Sequence, residues 1–164
     1  FQQADPELRL PMFRPATPSP NRRTLRFEDL APGRELPLRP VDITTRRIIA
    51  GAIATRDFED IHHEVAAAKR AGLPDLFMNV LTTTGLCTRY AQDWAGPEAR
   101  VTGINIRLGT PNVAGDTMTL SGVVESCVPG GAGGRVTIGL RGRNAMGDHV
   151  TGTVTLELPM GGRR

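Results

Sequence analysis

The segment FMNVLTTTGLCTRYAQDWAG, residues 77–96, decides how the rest of the chain can fold. Its apolar and small side chains recur every three or four residues, which is the pattern of a helix with one buried face. The stripe consists of Phe77, Val80, Leu81, Thr84, Cys87, Ala91 and Trp94. The helix should end at the Ala95-Gly96-Pro97 breaker, because proline cannot continue it. This is the longest periodic segment of the chain, so we expect it to be the central helix.

Strands should occupy the chain after this helix. Apolar residues alternate with polar ones in four stretches, which is the period of a half-buried strand. The stretches are residues 101–108, 117–127, 136–140 and 150–158. Gly, Asn, Asp and Pro cluster between them, so the connections are typical of turns between antiparallel neighbours. With an earlier strand at 35–43 and short helices near 45–56 and 64–72, this predicts an α+β fold, an antiparallel sheet wrapped around one long central helix.

Length and composition indicate one domain behind an extension. A chain of 164 residues with 39% hydrophobic content is sized for a single core. Its first 23 residues hold five prolines and scattered charge without periodicity, a composition that buries little apolar surface. We therefore expect residues 1–23 to form a proline-rich extension and residues 24–164 to form a single domain.

The charge pattern limits the kinds of molecule that the protein is expected to bind. The net charge of +3 comes from arginine, because Lys69 is the only lysine, and acids lie between the arginines. This distribution does not call for nucleic acid and suits an anionic small molecule, whose phosphates a guanidinium binds bidentately.

No apolar run reaches the roughly 18 residues of a membrane span. Cys87 and Cys127 lack C-x-x-C spacing, which favours a reducing compartment. We expect a soluble, cytoplasmic protein that binds neither nucleic acid nor membrane.

Titratable side chains concentrate in ATRDFEDIHHE, residues 54–64, which holds two of the three histidines. An Asp and a His five residues apart, here Asp57 and His62, can approach one water molecule if the backbone between them turns. On the residues alone, Asp57 could instead cap that turn, with His62 buried and satisfied. His63 should face another direction, because adjacent side chains on a regular element diverge, so the His-His-Glu triplet is unsuited to a metal. We expect no metal site.

Four motifs together resemble the MaoC-type enoyl-CoA hydratases of the hotdog fold. They are DFEDIH at 57–62, AAAKRAG at 66–72, RLGTPNVAGDT at 107–117 and GRNAMGD at 142–148. The likeness spans roughly residues 26–159. It is closest to the small catalytic subunits of bacterial steroid side-chain enoyl-CoA hydratases, through ATRDF at 54–58, DWAGP at 93–97 and GDHVT at 147–151.

The resemblance implies a reaction and its residues. It implies a hotdog fold that adds water reversibly to the double bond of a 2-enoyl-CoA thioester, with a steroid side-chain enoyl-CoA of cholesterol catabolism as substrate. Asp57 and His62 correspond to the family's water-activating pair, and positioned acid–base groups contribute about 100- to 10,000-fold each to a rate. Coenzyme A is part of the substrate, so no cofactor is expected.

Other site residues follow from the same resemblance. The family's oxyanion donor is a backbone N–H at the start of the long helix, where unpaired amides and the helix dipole favour negative charge. The family's H-G-M corresponds to FMNV at 77–80, which puts Asn79 in place of the glycine, while a one-residue shift selects Val80. Asn79 could also cap the helix, and the roles are compatible. Apart from the resemblance, Arg107 and either Arg141 or Arg143, on predicted strands, could contact CoA phosphates or simply be solvated.

A single hotdog is small, so the resemblance implies a ligand tunnel between paired hotdogs. The closest branch implies a heterotetramer with a second MaoC-like subunit, and a homodimer is the other arrangement. Two further functions stay open. A hotdog acyl-CoA thioesterase is disfavoured by the Asp57-to-His62 spacing, and a non-catalytic acyl-CoA-binding subunit would be expected to lack that pair.

Overall fold

A computed structural model describes residues 23–161, and the predicted extension at 1–23 lies almost wholly outside them and stays a prediction. The helices are α1 Thr45–Ala54, α2 Val65–Arg70 and α3 Val80–Ala95; the strands are β1 Glu35–Ile43, β2 Arg100–Leu108, β3 Asp116–Gly130, β4 Gly133–Asn144 and β5 Gly147–Pro159. One-turn 3-10 helices lie at Phe27–Asp29 and Asp60–His62. The strands form one antiparallel sheet in the order β1-β3-β4-β5-β2. The predicted α+β layout is confirmed.

Helix α3 packs across one face of this sheet and supplies the centre of the core. Its buried residues are Thr83, Cys87, Tyr90, Ala91 and Ala95, a stripe at helical spacing. Tyr90 fits because Gly122 on β3 has no side chain, and a Cβ there would lie 3.3 Å from the Tyr90 ring. The Tyr90 hydroxyl donates to the Pro37 carbonyl at 3.0 Å. Within residues 23–161, no helix combines the length and apolar character needed to cross a bilayer.

The predicted stripe on α3 is wrong at its first turn. Val80 and Leu81 are 49% and 50% exposed, and Phe77 lies before the helix, in an isolated bridge to Val113. Leu81 lies about 100° around the helix axis from Val80, which takes it off the buried face. Side chains on a helix lean toward its N-terminus, so Val80 in the first turn projects past the packed part of the helix. The exposed apolar residues therefore cluster at the N-terminus of α3.

Candidate active site

The end of α1 places Asp57. The Asp57 N–H donates to the Ala52 carbonyl at 2.9 Å and the Arg56 N–H donates to the Ile53 carbonyl at 3.1 Å. These two bonds form a Schellman motif, the turn that closes many helices with a left-handed residue. The left-handed residue is Arg56, with φ +56°. Asp57 thus leaves the helix at a defined angle, with its side chain 23% exposed.

His62 lies in the 3-10 turn that follows, with only 7% of its side chain exposed. Its Nδ1 is 2.8 Å from the carbonyl oxygen of Phe77. A carbonyl only accepts hydrogen bonds, so Nδ1 carries a proton, and in the neutral ring Nε2 is then an acceptor. The Phe77 ring packs against the imidazole at a centroid distance of 4.7 Å. These contacts fix both the tautomer and the direction of the ring.

The structure brings the predicted pair together. His62 Nε2 lies 3.5 Å from Asp57 Oδ2. That distance is longer than a typical direct hydrogen bond, so the two atoms lie close together without a short contact between them. His63 faces elsewhere, as expected, and its Nε2 lies 2.8 Å from the backbone carbonyl of Asp57.

Asn79 is 3% exposed and joins α1 to α3 through its side chain. Its Oδ1 accepts from the Thr82 N–H at 3.0 Å, so the predicted N-cap of α3 is confirmed. Its Nδ2 donates to Asp57 Oδ2 and to Thr55 Oγ1, both at 2.9 Å. The hydrogen bond from Asn79 is the main reason that the pKa of Asp57 lies below its ordinary value, and partial burial acts in the opposite direction.

The start of α3 also presents backbone donors. Within the part of the chain that the structure describes, the N–H groups of Asn79, Val80 and Leu81 have no acceptor in the protein. Free N–H groups at a helix N-terminus attract negative charge through the helix dipole. The sequence-based choice between Asn79 and Val80 as oxyanion donor stays a prediction, and both amides belong to the same turn.

The loop of the RLGTPNVAGDT motif supports the site from behind. The Met78 N–H donates to the Asn112 carbonyl and the Ala114 N–H donates to the Leu76 carbonyl, each at 2.9 Å. Asn144 holds this loop in turn, because its Nδ2 donates to Asn112 Oδ1 at 2.9 Å. The segment whose carbonyl orients His62 is therefore clamped by a loop about 35 residues further along the chain.

His149 is the third histidine, and the sequence offered no reason to place it near the site. It is 2% exposed, with Nδ1 2.7 Å from the Thr110 carbonyl oxygen and Nε2 2.8 Å from Thr83 Oγ1. Burial lowers the pKa of His149. The ring is thus neutral near pH 7, and it joins β5 and the β2–β3 loop to the first turns of α3.

Arg107 and Arg143 lie apart from this cluster. Both are exposed, and strand register places both on the face of the sheet turned away from α3, opposite Thr151 and Thr119 respectively. The single chain does not bring either arginine to Asp57 and His62. Their predicted contact with CoA phosphates stays a prediction.

An open groove of about 690 Å³ lies on that same outer face of the sheet. Glu125, Gly139 and Arg141 line it, together with threonines of β5. None of the residues that surround Asp57 takes part, so the groove is separate from the candidate active site.

Comparisons with known proteins agree with the fold. No family model matches the chain. Over 111 residues the chain is 48% identical to the beta subunit of 3-oxo-4,17-pregnadiene-20-carboxyl-CoA hydratase from Mycobacterium tuberculosis, covering 68% of this chain and 83% of that protein. A chain of the ChsH1-ChsH2 complex from Mycobacterium tuberculosis superposes with a TM-score of 0.73 at 43% identity, covering 78% of this chain and 98% of that one. R-hydratase PhaJ1 from Pseudomonas aeruginosa is similar in fold, with a TM-score of 0.74 at 20% identity over 84% of this chain and 88% of that one.

A five-stranded antiparallel sheet around one long helix, superposing on these hydratases, is the hotdog fold. The chain belongs to the MaoC-like hotdog hydratase family, in the branch of steroid side-chain hydratase beta subunits.

Proposed function

We propose that this chain is the catalytic subunit of a hydratase that adds water to the double bond of a 2-enoyl-CoA thioester. The observation that carries the proposal is the convergence of His62 Nε2 and Asp57 Oδ2, 3.5 Å apart, each with its other contacts already defined. Both atoms can accept a hydrogen bond when the carboxyl is ionised and the imidazole is neutral. One water molecule can donate a hydrogen bond to each of them.

The reaction balances with these groups alone. The water oxygen forms a bond to the β-carbon as the carbon–carbon π bond breaks, and one water proton passes to the Asp57–His62 pair. The electron pair moves toward the thioester oxygen, which the free N–H groups at the start of α3 would stabilise. Removing one such donor from other enzymes costs about 2.7–4 kcal/mol. The α-carbon then takes up the proton that the Asp57–His62 pair received from water, which restores the pair, and the product is a 3-hydroxyacyl-CoA.

A steroid acyl group is the substrate class that we propose. The relative from Mycobacterium tuberculosis carries in its name a steroid carboxyl-CoA thioester. In this chain, large apolar side chains are exposed on the elements that meet at the site, where a bulky apolar acyl group could cover them. They are Ile53, Phe58, Val80 and Leu81, at 54%, 69%, 49% and 50% exposure.

A second hotdog subunit would complete the site. The ChsH1-ChsH2 neighbour is a complex of two different chains. In this chain β2 is an edge strand, and Leu108 at its end is 38% exposed. An edge strand with unpaired backbone groups and partly exposed apolar side chains is suited to pair with another chain. We propose a hetero-oligomer with a MaoC-like partner that contributes to the CoA and acyl surfaces.

The test is an assay of the purified chain, alone and with a MaoC-like partner, on a steroidal and a short 2-enoyl-CoA. Loss of the conjugated thioester absorbance without release of free CoA is expected. Asp57→Asn should lower kcat/KM by about 100- to 10,000-fold. Asp60→Asn is the matched control, because Asp60 is exposed and its carboxylate makes no hydrogen bond within residues 23–161. Release of CoA would instead indicate a thioesterase, and inactivity in every pairing would indicate a binding subunit.

A further inference from the structure

The carboxamide of Asn79 makes three hydrogen bonds, and together they fix its orientation. Nδ2 reaches Thr55 Oγ1 and Asp57 Oδ2, and Oδ1 receives the Thr82 N–H. Rotating the amide by half a turn would set its oxygen against the Asp57 carboxylate and its NH2 against another N–H. Both contacts would be repulsive, so one orientation is favoured.

Thr55 also helps to fix the orientation of the Asn79 carboxamide, because its hydroxyl oxygen accepts from Asn79 Nδ2. Its hydroxyl donates to the Gly51 carbonyl at 2.8 Å, with the Ala52 carbonyl 3.1 Å away, so its proton is used within α1. The hydroxyl oxygen is then available only to accept, which is the role that Asn79 Nδ2 requires. A single buried side chain therefore ties the last turn of α1 to the first turn of α3.

These two turns carry the two halves of the chemistry proposed above. The Asp57 carboxylate follows α1, and the free N–H groups of Val80 and Leu81 begin α3. We propose that the Asn79 side chain is a positioning residue, which holds the Asp57 carboxylate at a set place relative to the N-terminus of α3. This inference rests on the proposed hydratase function, and it gives the side chain a role distinct from that of the Asn79 backbone N–H.

Electrostatics agree with this geometry. The carboxylate of Asp57 accepts a full hydrogen bond from Asn79 and a longer one, 3.4 Å, from the Glu59 N–H. Hydrogen bonds to the ionised form lower the pKa of a carboxyl, and Asn79 is the largest contributor here. Loss of the Asn79 donor should therefore move the pKa of Asp57 upward.

Two variants separate this role from helix capping. Serine remains a good N-cap, so Asn79→Ser keeps the bond to the Thr82 N–H and loses the donor to Asp57, whereas Asn79→Ala loses both. With the full chain and its partner subunit, we expect Asn79→Ser to lower kcat by about 10- to 100-fold. KM should change little, because the carboxamide contacts protein groups only. The Tm should stay near the wild-type value in Asn79→Ser and fall in Asn79→Ala.

Carboxyl carbon NMR of Asp57 supplies a readout that does not need activity. The pKa of Asp57 should be higher in Asn79→Ser than in the wild type, even if the chain proves to have another function. An unchanged pKa of Asp57 overturns the inference, whatever happens to kcat. Wild-type kcat in Asn79→Ser also overturns it, as does a loss of kcat that merely follows the loss of Tm in both variants. An inactive wild type would refute the proposed function instead.

Discussion

Arg56 holds a backbone conformation that usually belongs to glycine. Its φ of +56° makes it the one non-glycine residue with positive φ among residues 23–161. A glycine or asparagine at a helix end usually indicates such a turn, and Thr55 and Arg56 are neither. The sequence shows that Asp57 and His62 are five residues apart. It does not show the left-handed turn at Arg56 that orients Asp57. The backbone bonds of that turn do not depend on the Arg56 side chain.

Replacing Arg56 by glycine should stabilise the protein. The left-handed conformation costs an L-residue about 1–2 kcal/mol, which glycine avoids. We expect Arg56→Gly to raise the Tm by roughly 3–5 °C in a thermal unfolding experiment. Gly72→Ala is the matched control at the end of α2, where φ is +85°, and should lower the Tm. A Tm that falls in Arg56→Gly would show that the arginine side chain makes a compensating contact.

At the scale of elements, the packing of α1 against α3 controls the site. Gly51 on α1 faces Thr82 on α3 so closely that a Cβ at Gly51 would overlap the Thr82 side chain. The approximate positions of both helices were predictable from periodicity, and α1 begins after Thr44, whose side chain accepts from the Arg47 N–H. Their contact was not predictable, because it depends on groups about 30 residues apart. Close approach here lets Asn79 reach Asp57.

Two glycine-to-alanine variants test this contact. Gly85 lies inside α3 with no atom within 4 Å of an added Cβ, so Gly85→Ala should gain about 1 kcal/mol from helix propensity. Gly51→Ala should lose about 1–3 kcal/mol, because the Thr82 side chain or the helix itself must shift to admit the methyl group. Gly51→Ala should also lower kcat/KM for the hydration reaction, since Asn79 would be drawn away from Asp57. Urea unfolding and kcat/KM measure the two effects, and equal stabilities of the two variants would contradict the account.

At the scale of the whole molecule, the site depends on loops and strands remote in sequence. The antiparallel sheet and central helix were predicted correctly, because alternation and helical periodicity are local signals. The first turn of α3 was predicted to be buried and is exposed, since its surroundings are set by the tertiary packing. The role of His149 was not foreseen. Its contacts to Thr83 and Thr110 join elements that lie far apart along the chain.

His149 should make stability depend on pH. Burial lowers the pKa of His149 below its ordinary value of 6.5, so the unfolded chain takes up this proton at higher pH than the folded protein does. The contribution is fully present above about pH 6.5 and is lost as the pH falls toward the lowered pKa. In urea titrations, His149→Gln should flatten the decline of unfolding free energy by up to about 1.4 kcal/mol per pH unit. The same slope in both proteins would exclude this role.

The most direct test of the central claim, that Asp57 and His62 act on one water molecule, is a double-mutant cycle on hydration. The four proteins are the wild type, Asp57→Asn, His62→Gln and the double variant, each assayed with its partner subunit and checked for an unchanged Tm. Groups that act as a unit are strongly non-additive. We expect each single variant to lose about 100-fold or more in kcat/KM. The double variant should be only slightly less active than the less active of the two single variants. Losses that multiply in the double variant, or a single variant with wild-type kcat/KM, would contradict the account.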